Sequence, residues 1–97
     1  MSLDPILFSD PQFETANEAV LFCYEKVRES AIKTEANRLR AFLPMNSADL
    51  ARVVQRELVS IRDAAREHKE EHVLDAVRVA IDAVRWALAQ PQYLAAS

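Results

Sequence analysis

The chain contains no glycine. Tight hairpin turns lean most heavily on that residue, so its absence argues against a β-rich fold. It also excludes the glycine-rich phosphate loops of nucleotide-binding domains. Cysteine is scarce too: Cys23 stands alone, so no internal disulfide can form, which fits a reducing cytoplasm. It falls within the apolar run Ala19–Tyr24, where a buried, inert thiol is expected. No uncharged apolar run approaches the roughly 18–20 residues a membrane span needs. The opening MSLDPILFSD has no basic residue before its short apolar patch, so no secretory leader is expected there. Net charge is −3, which gives no global field toward nucleic acid or an anionic membrane.

What remains is helix-forming. Ninety-seven residues make one domain, and a chain 51 % hydrophobic and 28 % charged has the balance of a folded one. Pro5, Pro11, Pro44 and Pro91 sit at expected boundaries, and between them Ala, Leu, Glu, Arg, Lys and Gln dominate. The pattern predicts an all-α fold, a small up-down-up three-helix bundle spanning residues 1–97. A short arm covers 1–10, and helices cover about 11–43, 47–67 and 72–90.

The first helix starts with Asp10 as N-cap and Pro11 at the first helical position. Its stripe is Phe13, Ala16, Val20, Cys23, Val27 and Ala31. After Thr34 the stripe moves to Ile32, Ala36, Leu39 and Leu43, about a third of a turn round the axis, and Arg38 takes the old line. The helix therefore bends near Ser30–Thr34, or its far half packs elsewhere. Asn46 or Ser47 caps the second helix, with Asp49 placed for a capping box on Asn46. Its stripe is Leu50, Val54, Leu58, Ile61 and Ala65. The third, on Leu74, Val77, Ile81, Val84 and Leu88, is nearly half a turn out of phase with it. A turn within Arg66–His72 re-registers the two; an unbroken helix over 48–90 is the alternative.

Val73–Ala89 is the most unusual segment, since thirteen of its seventeen residues are apolar. Only Asp75, Arg78, Asp82 and Arg85 interrupt it, forming one narrow seam that can pair at i+3 and i+4 or meet its symmetry mate. A helix this apolar needs cover on most sides, and one short chain has few elements to supply it. The expectation is a homodimer joined through helical faces. Phe22 lies among Glu18, Glu25, Lys26 and Glu29, with Leu21 and Tyr24 nearby; Trp86 projects beyond the main stripe of the third helix. Leu21, Phe22, Tyr24, Val79 and Trp86 are accordingly the expected contact residues.

Other motifs carry less. His68 and His72 share a face only if the helix is unbroken, and HKEEH lacks the base position of a metalloprotease HExxH. The same pair could act as a protonation switch, though solvated loop histidines need no role. Residues 46–54, NSADLARVV, resemble the opening helix of a bacterial helix-turn-helix. The likeness ends where QRELVSIRDAAREH continues without a turn, so the segment reads as a capped helix start. Glu57 falls inside the second stripe and must find a partner, for which Arg38 is placed. No nucleophilic triad is present, and no catalytic residue, metal or cofactor is expected. The functional expectation is a non-catalytic, cytoplasmic interaction module. The alternative is a small nucleic-acid-binding regulator using the basic 33–66 stretch: Lys33, Arg38, Arg40, Arg52, Arg56, Arg62 and Arg66, net +3.

Overall fold

The structure is a computed structural model that describes residues 11–90. It is all-α. Four helices follow one another among the described residues: α1 (Pro11–Arg28), α2 (Glu35–Arg40), α3 (Ala48–Glu67) and α4 (Glu71–Leu88). Neighbours run round the bundle in chain order, α1 on α2, α2 on α3, α3 on α4 and α4 back on α1. The expected first helix over 11–43 is thus two helices, and the bundle gains a short fourth member.

The break falls where the apolar stripe rotates. Ser30 drives it: its hydroxyl donates to the Val27 carbonyl at 2.8 Å and accepts from the Ile32 N–H at 3.2 Å. A side chain that satisfies backbone groups this way competes with the helix. The Ala31 N–H, freed by the break, donates to Glu70 Oε2 at 3.0 Å, which ties this turn to the one between α3 and α4. With α2 folded back, Ile32, Ala36 and Leu39 join the core, while Ala31, expected inside, is exposed. Asn17 holds the next connection. Its amide donates to the Met45 carbonyl at 3.0 Å and accepts from the Met45 N–H at 2.7 Å.

Ser47 caps α3 from an extended backbone, accepting from the Leu50 N–H at 3.2 Å. Asp49 does not close a capping box; it pairs with Arg52 at 3.1 Å. The Asp10 cap expected for the first helix lies outside the described residues. Ala51, Val54, Leu58, Ile61 and Ala65 are the buried line of α3, with Leu50 half-buried above it.

The turn expected within Arg66–His72 is present, and it answers the lack of glycine directly. The Glu70 N–H bonds the Ala65 carbonyl at 2.9 Å and the Lys69 N–H bonds the Arg66 carbonyl at 3.2 Å. This is a Schellman closure, whose left-handed position is usually glycine. Lys69 fills it with φ +56°. A non-glycine residue there is strained by roughly 1–2 kcal/mol, offset in part by the greater unfolded-state freedom of glycine. Lys69→Gly is therefore expected to stabilise the fold by about 0.5–1 kcal/mol. A urea midpoint at or below the wild-type value would contradict the closure.

Within one copy the third apolar segment is covered along one wide arc, while its Val79 and Trp86 stay exposed. With α1 on one side and α3 on the other, α4 buries Val73, Ala76, Val77, Ala80, Ile81, Val84 and Ala87. The physical reason is the re-registration: two antiparallel neighbours take a wide arc of α4 where one would take a stripe. Among the described residues no helix is long and apolar enough to cross a membrane.

Candidate functional site

Among the described residues, an apolar strip and several grooves with polar walls stand out on the surface of this scaffold. The strip runs along α1 and α4. Phe22, Val79 and Trp86 are large apolar side chains left 56 %, 60 % and 58 % exposed. Phe22 and Val79 line one groove of about 310 Å³ with Lys26, His72, Asp75 and Ala76. The Lys26 Nζ sits 5.2 Å from the centre of the Phe22 ring, a cation–π contact at the groove edge. Trp86 follows Val79 by two helical turns on the same line of α4, about 10 Å along the axis.

The other two expected contact residues are placed differently. Leu21 is exposed but points away from the strip, into a groove of about 400 Å³ with Asn17, Arg40, Leu43 and Pro44. Tyr24 is buried at 8 % exposure and offers little surface. Its ring lies between Arg28 and Arg40, whose guanidinium carbons are 5.7 and 5.6 Å from its centre. Hydrogen bonding to Arg28, with the nearby Arg40, holds the Tyr24 hydroxyl below its usual range and raises Arg28. Sequence spacing could not separate these neighbours, because the α1–α2 turn decides which flank of α1 the short helix covers.

A further groove lies between α3 and α4 and was not visible in either helix alone. Arg62, Arg66, Arg78 and Arg85 line it together with Ile81 and Asp82. The polar seam of the third apolar segment is thereby divided. Arg78, Asp82 and Arg85 turn toward α3, while Asp75 lies in the groove with Phe22, where Arg78 approaches it at 4.0 Å.

Several members of the basic 33–66 stretch are engaged with other side chains. Arg38 bonds Glu57 Oε2 across α2 and α3 at 3.3 Å, the register pair expected from the two interrupted stripes. Arg40 is engaged with Tyr24 and Arg52 with Asp49, whereas Arg62 and Arg66 enter the groove just described. The two histidines are separated as well. His68 caps the end of α3 and His72 stands in the first turn of α4, so the turn passes between them and both are exposed. Among the described residues no group of three or more His, Cys, Asp or Glu could hold a metal ion. Cys23 is fully buried, and burial pushes its thiol up to about 12.

The bundle defines the class, a small antiparallel all-α domain. Comparison with known protein families, characterised proteins and solved structures found no match.

Proposed function

We propose that this chain is a non-catalytic helical interaction module that self-associates through the outer face of α1 and α4. The observation that carries the proposal is that Phe22, Val79 and Trp86 are each more than half exposed, Phe22 and Val79 in one groove and Trp86 two turns beyond Val79 on α4. Isolated exposed apolar residues are normal on a protein surface, but three large ones in line are not. The strip is also self-complementary. A two-fold axis across α4 between Val79 and Trp86 sets each indole against the Phe22–Val79 groove of the other copy. Lys26, His72 and Asp75 then form a polar rim around an apolar centre, the usual anatomy of such interfaces. Because each copy already encloses its own core, the pair should come apart without unfolding.

The test is mass in solution. Light scattering at micromolar protein is expected to give twice the 11.0 kDa chain mass. Trp86→Glu and Val79→Glu each bury a charge at the centre of the contact. Each should weaken association at least a hundredfold and leave helical circular dichroism unchanged. A wild-type chain that stays at single-chain mass defeats the proposal, as does a dimer indifferent to both substitutions.

A further inference from the structure

We infer that the groove between α3 and α4 is a binding site for a small polyphosphate-bearing anion, held by Arg62, Arg66, Arg78 and Arg85. Four arginines on two antiparallel helices line a space of about 280 Å³ whose lining includes one carboxylate, Asp82. Like charges so gathered repel one another, and the arrangement is relieved by an anion between them. The internal partners are weak. Arg62 Nε approaches Asp63 at 3.7 Å and Arg78 approaches Asp75 at 4.0 Å, both beyond hydrogen-bond range, with exposed carboxylates. Arg66 and Arg85 have no ion pair within the described residues. Arg62 Nε is itself buried with no hydrogen-bond acceptor, a donor whose desolvation is uncompensated.

The spread of the donors sets the size of the ligand. Arg62 and Arg66 are one turn apart on α3, and Arg78 and Arg85 are two turns apart on α4, roughly 6 and 10 Å along their axes. A single tetrahedral phosphate offers few oxygens to backbone positions so spread, whereas a chain of two or three phosphates extends along them. Guanidinium forks suit phosphate oxygens better than a point charge does, because each can donate two parallel bonds. The surroundings favour a short anion over a nucleic acid. Asp63 and Asp75 stand beside the groove's own arginines and would repel an extended polyanion. The lining offers no aromatic ring for a base to stack on. This inference is independent of self-association, since Val79 and Trp86 are absent from the lining.

The experiment is calorimetric titration of the full chain with inorganic pyrophosphate, orthophosphate and a short DNA duplex, at constant ionic strength set with sodium chloride. Pyrophosphate is expected to bind saturably, one per chain, and at least tenfold tighter than orthophosphate. Arg66→Gln/Arg85→Gln should weaken pyrophosphate at least tenfold; both positions are exposed and glutamine is a good helix former, so folding is preserved. Arg52→Gln/Arg56→Gln, outside the groove, should change nothing. Absence of saturable pyrophosphate binding overturns the inference, as does equal affinity in the groove variant. A duplex that binds more tightly than pyrophosphate, and is weakened by the Arg52/Arg56 variant, overturns it in favour of an extended polyanion.

Discussion

Native Cys23 should react with a thiol reagent such as Ellman's at pH 8 at least a thousandfold more slowly than the same residue in the unfolded chain. The thiolate is the reacting species, and burial lifts this thiol from 9.0 to about 12, a thousandfold loss of thiolate before access is considered. Cys23 is fully buried beside Val20 and Val27 on the inner line of α1, so reaction requires that line to open. The same shift has a stability consequence with a definite sign. The folded chain holds the proton to a higher pH than the unfolded chain does. Its contribution is complete below about pH 9 and is lost as pH rises from there toward 12, at about 1.4 kcal/mol per unit. Tyr24, held below its ordinary value chiefly by Arg28, acts in the opposite direction. The difference between wild type and Cys23→Ala isolates the thiol. Rapid native labelling, or a Cys23→Ala variant with the same alkaline slope, would show that α1 does not pack as described.

Leu39→Ala should remove about 2–5 kcal/mol of folding stability, a large part of the roughly 5–15 kcal/mol available to a domain. Leu39 is fully buried, although it belongs to a helix of only six residues. So short a helix has little stability of its own and exists because its inner side chains are covered. The expected fall in melting temperature is roughly 10–30 °C. Arg38→Gln, one residue away, removes a largely exposed charge but leaves Glu57, 16 % exposed, without its cation, so its cost should be about 1–2 kcal/mol, below that of Leu39→Ala. If the two substitutions proved equally mild, α2 would be a surface ornament, and the enclosure of the bundle would need another explanation.

Much of this was legible along the chain. The lack of glycine and the proline positions pointed to helices, and the stripes of Val54, Leu58, Ile61 and Ala65 and of Val77, Ile81 and Val84 are buried as their periods require. Arg38 and Glu57 could be matched because each interrupts an apolar line, and a charge at such a place needs a partner. Boundaries were harder. Ser30 sits within a helical pattern, and only its bonds to Val27 and Ile32, with Glu70 waiting for Ala31, make the chain turn there.

Local periodicity along the chain determined that the protein is helical and where its long apolar faces lie; it pointed to a turn within Arg66–His72 but left an unbroken helix open, and the structure places the break there. Tertiary structure alone decided that Tyr24 is enclosed while Phe22 stays outside, and that four arginines from two helices face one groove. The reason is geometric: a helix sets the angle of a side chain about its own axis, but exposure and company depend on the position of a second axis. In this bundle that position follows from the folding back of α2 and from the closure at Lys69.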